Sequence, residues 1–158
     1  MQWVTLVSAI VGAAIATGSA MVLDKRRWQR ERLDRETQTR RTLYGEYLAC
    51  LSEARHTSGN VARDTDMPLP SRRTTARTAF GPCIGLRYQI TITAPSRVVV
   101  ASEDAFRQLR DLRDLVMEGV LVTEPAYLEG RRNYDDALAA LRLRMREDLR
   151  STEGGTAF

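Results

Sequence analysis

The chain is predicted to be all-α: an N-terminal transmembrane helix continuing into an antiparallel up-and-down bundle of about four helices. Three observations predict this. Residues 3–23 carry no charged side chain. Beyond them, apolar residues recur three and four positions apart, the period of a half-buried helix. Glycine, proline and small polar residues interrupt those stripes at intervals of one helix length.

The N-terminal segment comes first. From Trp3 to Leu23 run 21 uncharged residues. As a helix they would span about 31 Å, close to the hydrocarbon thickness of a bilayer. A core helix of that length would show a polar face, and this one has none. The rival is a cleaved signal peptide, with Gly18-Ser19-Ala20 as the candidate cleavage site. Against it, Met1-Gln2-Trp3 lacks the positive side chain with which signal peptides begin. The nearby cations, Lys25, Arg26, Arg27 and Arg30, all follow the span. The positive-inside tendency then puts the N-terminus outside and the rest of the chain in the cytoplasm, at the cell membrane. The same four residues would contact anionic lipid. Trp3 and Trp28 would lie near the two headgroup layers. Within the span Ser8, Gly12, Ala16 and Ala20 recur every four residues. Small side chains on one face let two backbones approach, which predicts a homo-oligomer paired through the span.

Residues 24–41 form a basic juxtamembrane stalk, expected to continue the same helix. They hold eight basic residues against four acidic ones, so this segment accounts for the whole net charge of +4. The neutral remainder argues against a broad nucleic-acid face. The bundle itself is expected over 42–151. Its first stripe is Leu43, Tyr47, Leu51 and Ala54, ended by Ser58-Gly59-Asn60, with a loop over 61–70. Ser71 is a candidate cap for the second helix. The second stripe is Ala76, Phe80, Cys83/Ile84, Arg87 and Ile90. Pro82 cannot bond back to Thr78, which predicts a kink. Arg87 falls in the stripe and is expected at its edge, stem buried and head in water; a buried ion pair is the alternative.

Tyr88 to Val100 is ambiguous. Its β-branched residues favour a hairpin about Ala94-Pro95-Ser96, while the flanking stripes at helical spacing favour helix, turn, helix. The third stripe is Phe106, Leu109, Leu112 and Val116, stopping near Gly119. The fourth begins at Thr123-Glu124-Pro125 and runs through Tyr127, Tyr134, Leu138, Leu141, Met145 and Leu149. Residues 152–158 are expected to be a disordered tail. Four passes return Arg142–Arg150 toward the bilayer. Arg142, Leu143, Arg146 and Arg150 are a candidate partner face there, with Leu143 off the apolar stripe.

Chemistry-bearing motifs are scarce. The chain has 158 residues, 43% hydrophobic and 28% charged, which is too apolar for disorder. Of its basic residues, only Lys25 is not arginine. No catalytic, cofactor-binding or metal-binding residue is assigned. There is no phosphate-binding glycine loop, nucleophile elbow or metal-ligand spacing. His56 follows Arg55 near a helix end, where the dipole favours cations. Asp111, Asp114, Asp135 and Asp136 read as surface ion pairs. Cys50 and Cys83 read as two small buried hydrophobes in a reducing compartment.

The uncharged span, Asp24-Lys25-Arg26-Arg27, Tyr44-Gly45-Glu46-Tyr47-Leu48, Leu109-Arg110-Asp111-Leu112-Arg113-Asp114 and the 141–149 repeat carry a resemblance. The chain resembles small single-span membrane proteins of unassigned function common in actinobacteria. It is also similar to the peripheral-stalk b subunit of ATP synthase, but Pro68, Pro70 and Gly81-Pro82 contradict that subunit's unbroken helix. The expected function is a membrane-anchored, non-enzymatic interaction or scaffold module, self-associating and engaging an unidentified cytoplasmic protein. The alternative is a regulatory envelope component that binds anionic lipid or nucleic acid through its arginines.

Overall fold

A computed structural model describes the helical backbone of residues 2–154 and the side chains of 28, 31, 32 and 34–151. Four helices account for almost all of it: α1 (Gln2–Arg63), α2 (Leu69–Thr93), α3 (Ser96–Glu118) and α4 (Pro125–Gly154). There is no strand among the described residues. The chain divides into two units, Met1–Gln38 and Thr39–Phe158. No helix among the described residues is long and apolar enough to cross a membrane. The uncharged segment 3–23, with its small-residue face Ser8, Gly12, Ala16 and Ala20, lies outside the described side chains. So do Lys25, Arg26, Arg27 and Arg30. In the first unit Trp28 is 75% exposed. Arg32 pairs with Glu36 and Arg35 with Glu31, both one helical turn apart.

The second unit is a helical bundle with one core. Leu43, Tyr47, Leu51 and Ala54 from α1 meet Phe80 and Ile90 from α2. Val98, Leu109, Leu112 and Val116 come from α3, and Tyr134, Leu141 and Met145 from α4. Successive helices run antiparallel. Arg73 near the start of α2 donates to the Met117 carbonyl near the end of α3. Tyr44 of α1 reaches Asp148 at the far end of α4, and the Tyr134 hydroxyl points at the Leu51 carbonyl. The ambiguous 88–100 stretch is helix, turn, helix: α2 closes at Ala94, Pro95 sits in extended backbone, and α3 starts at Ser96. Proline at 95 removes a strand donor and presets the turn.

Three boundaries differ from the sequence reading. First, α1 does not end at Ser58-Gly59-Asn60 but continues to Arg63. Ser58 donates to the Ala54 carbonyl within the helix. Gly59 is a close-approach glycine, since a Cβ there would lie 3.3 Å from the Tyr127 hydroxyl of α4. Second, α2 begins at Leu69, not at a Ser71 cap, with proline in its first turn, where the missing N–H costs nothing. Third, α4 does not give way to a tail at 152 but continues to Gly154; within it Asp148, and not Leu149, occupies the last buried position of the stripe, and Leu149 is half-buried. Helix α2 continues through Pro82. Gly119 closes α3 in the left-handed region (φ 99°), where glycine alone is unstrained, and the Val120 N–H bonds back to the Leu115 carbonyl.

The cysteine reading is also corrected. Cys50 and Cys83 form a disulfide with Cα atoms 5.7 Å apart, inside the usual range. Cys50 lies 13 residues before the end of α1 and Cys83 lies 14 after the start of α2. In an antiparallel pair joined by a short turn, those positions face one another.

Candidate functional site

Two features of the bundle organise its chemistry: a buried ion cluster joining three helices, and an uncharged outward face on α2. The cluster is built on Asp148, which is 3% exposed. The Tyr44 hydroxyl donates to its Oδ2 at 2.8 Å. Arg40 donates to both carboxylate oxygens at 3.3 and 3.4 Å. Arg97 of α3 lies 3.7 Å from Oδ1. Ser151, one turn on, donates to the Asp148 carbonyl. A carboxylate this deep costs several kcal/mol in desolvation unless its oxygens are bonded, and here they are. Burial raises the Tyr44 phenol well above its ordinary range, and the Asp148 hydrogen bond and charge add to the rise. Tyr44 therefore stays a donor. The cluster fixes how α1, α3 and α4 meet. Its donors and acceptors are engaged by one another.

A second buried cation, Arg72, is 4% exposed. Its guanidinium donates to the carbonyls of Val61, Asp64 and Met67. The carbonyls at a helix C-terminus have no intrahelical partner. Arg72 satisfies that end of α1 and ties α2 to it. Asp64 folds the intervening turn by accepting the Asp66 and Met67 N–H groups. Nearby, Val122 of the α3–α4 connection donates to the Ala62 carbonyl.

The open groove along α3 and α4 is lined by Arg97, Val100, Glu103, Asp104, Arg107 and Arg144. Its lining has no thiol, hydroxyl or amine side chain, and its arginines are paired: Arg97 with Asp148, Arg107 with Asp104, and Arg144 with Glu147. Among the described residues no three His, Cys, Asp or Glu side chains stand close enough to hold a metal. His56 is exposed. Asp114 and Asp135 pair with Arg113 and Arg131 on helix surfaces.

The outward face of α2 is different. Between residues 78 and 96 the chain has one charged side chain, Arg87. Its guanidinium lies over the Phe106 ring at 4.5 Å and the Tyr88 ring at 5.3 Å. Arg87 is half-buried, in keeping with a place at the edge of the stripe, and its head rests on aromatic faces, which attract the cation. Ile84, Tyr88 and Ile92, spaced four apart, are 43%, 58% and 83% exposed. Gly81 and Gly85 share that face and have nothing within 4 Å of a Cβ position. The shared stripe position Cys83/Ile84 resolves simply: Cys83 turns into the core and Ile84 away from it.

Of the residues singled out near the C-terminus, Arg142, Leu143, Arg146 and Arg150 are all exposed. They share α4 with buried Asp148 but take no part in its cluster. Sequence reasoning missed Asp148, its partners Arg40, Tyr44 and Arg97, and Arg72. One signal was present. Asp148 falls three residues after Met145 and seven after Leu141, so it occupies a stripe position. Comparison with known proteins finds no matching family model, curated protein or solved structure.

Proposed function

We propose that this chain is a membrane-anchored, non-enzymatic interaction module whose cytoplasmic bundle pairs with a second copy through the outward face of α2. The anchor rests on the 21 uncharged residues 3–23 and the cations that follow them. That pattern also underlies the resemblance to single-span actinobacterial proteins. The observation that carries the pairing is the α2 face itself: Ile84, Tyr88 and Ile92 exposed in line, two open glycines, and one charge in 19 residues, already held by aromatic rings. A face with a single charge, held on aromatic rings, opposes its own copy about a two-fold axis with little like-charge repulsion, and two-fold pairs are the commonest assemblies. A charged partner surface would lose hydration there and gain no ion pair. The glycines let two helices approach closely. The contact covers only about four turns of one helix, below the area of a free-standing dimer, which suits chains concentrated in one membrane plane.

The test uses the full chain. Membranes are washed with alkaline carbonate, and the pellet is solubilised in mild detergent for mass determination. The wild type is expected in the pellet and as a dimer. The Ile84→Glu/Ile92→Glu variant is expected as a monomer with an unchanged melting temperature. Equal masses for the two proteins when Gly12→Ile is added to both, to loosen pairing through the span, would remove the α2 pairing, and carbonate extraction would remove the anchor.

The exposed Arg142, Arg146 and Arg150 support a second reading, attraction to an anionic lipid surface. Binding to anionic vesicles that falls steeply with salt would favour it.

A further inference from the structure

We propose that Cys50 and Cys83 are a reversible redox latch between α1 and α2. The inference rests on the cytoplasmic placement proposed for the bundle. Disulfides in that compartment are rare, and those that form are usually transient and redox-responsive. The two residues are poised to form one: their Cα atoms are 5.7 Å apart and the bond is closed in the structure. Bond and thiol pair are both accommodated by the same backbone, because the contact joins the last third of α1 to the middle of α2, two helices that the core already holds together.

The geometry also orders the exchange. Cys83 is fully buried and Cys50 half-buried, so a small reagent meets Cys50 first. The oxidant is a low-molecular-weight disulfide. The Cys50 thiolate attacks one of its sulfurs, forming a mixed disulfide and releasing one thiolate. The Cys83 thiolate then attacks the Cys50 sulfur, closing Cys50–Cys83 and releasing the second thiolate. The two protons lost by the cysteines end on the two released thiols, and two electrons pass from protein to carrier. Reduction by two equivalents of small thiol reverses both steps. Closure pins the midsection of α2, beside Gly81 and Pro82, to α1. It removes conformational freedom from the unfolded chain more than it changes the folded one.

The experiment follows the thiols of the full-length protein in cells. Cells are acid-quenched and alkylated with a mass-tagged maleimide, then compared before and after a pulse of the thiol oxidant diamide. The expected result is two tags before the pulse, none just after it, and two again on recovery. In the purified protein, reduction lowers the melting temperature by about 10 °C, and this dependence disappears in the Cys50→Ala/Cys83→Ala variant. A reporter fused after Phe158 and active only outside the cytoplasm is read in the same cells. A permanent bond with the reporter silent overturns the latch alone. A permanent bond with the reporter active overturns the cytoplasmic placement and the latch with it. Two tags after the pulse, with other cellular thiols oxidised, overturns the latch.

Discussion

Asp148 shows how a single side chain sets the geometry of a helix end. It sits at a core position of α4 and is held by Tyr44, Arg40 and Arg97 from two other helices. Removing it leaves two cations and a phenol around an empty carboxylate site. Asp148→Ala is expected to destabilise the bundle by about 3 kcal/mol, read as the midpoint of urea unfolding. A loss within about 0.5 kcal/mol, normal for surface changes, would mean that the cluster is solvated. The buried tyrosines make a second prediction. Burial pushes the Tyr134 phenol from its ordinary value of 10 up to about 12, and Tyr44 and Tyr47 are also raised, chiefly by burial. The unfolded chain releases these protons near pH 10, while the folded chain keeps them. Their stabilising contribution is therefore full below pH 10 and is lost as pH rises through the folded values. Stability is expected to fall by about 1 kcal/mol for each of Tyr44 and Tyr134 between pH 10 and 11, measured as urea midpoints alongside phenolate absorbance. The periodicity of apolar residues put Asp148 on the stripe but could not reveal its burial, because a carboxylate there looks the same in sequence whether it is buried among partners or marks the stripe's end.

At the scale of the helix, apolar spacing was the most legible signal. The four stripes lie in the core almost residue for residue, because one solvent boundary along a helix imposes a period of 3.6. Boundaries were less legible where glycine or proline had a tertiary role. Gly59 reads as a terminator but makes room for Tyr127. Pro68 and Pro70 read as a loop, yet they sit at the N-terminus of α2, where proline is tolerated. The β-branched run Ile90-Thr91-Ile92-Thr93 stays helical, its threonine hydroxyls bonding back to the Arg87 and Gln89 carbonyls. The open surroundings of Gly85 yield a prediction that separates folding from association. Gly85→Ala fills empty space in a helix interior and is expected to raise the stability of the single bundle by about 1 kcal/mol. The same methyl group stands on the proposed contact face and should weaken pairing several-fold. Unfolding in dilute detergent reads the first effect and mass against concentration reads the second. Gain or loss of both together would place Gly85 elsewhere.

For the whole molecule, local pattern predicted the pass count and the return of α4 to the start of the bundle, since short turns leave adjacent helices antiparallel. The Arg40–Asp148 and Tyr44–Asp148 contacts join those ends. The disulfide was not legible in the sequence. Positions 50 and 83 are symmetric about the α1–α2 turn, but that symmetry becomes visible only once both helix ends are known. The uncharged run 78–96 was plain in the sequence, but which of its residues face outward depends on the core that Phe80, Cys83 and Ile90 enter. The proposed meeting of this face with its own copy can be read in intact membranes. A photo-cross-linking amino acid is placed at Tyr88 in the full chain and the membranes are irradiated, with Asp135 on the exposed side of α4 as the control position. A covalent dimer is expected from position 88 and none from 135, with loss of the dimer when Ile92→Glu is added. Equal dimer yields from 88 and 135, or a yield at 88 indifferent to Ile92→Glu, would contradict the pairing.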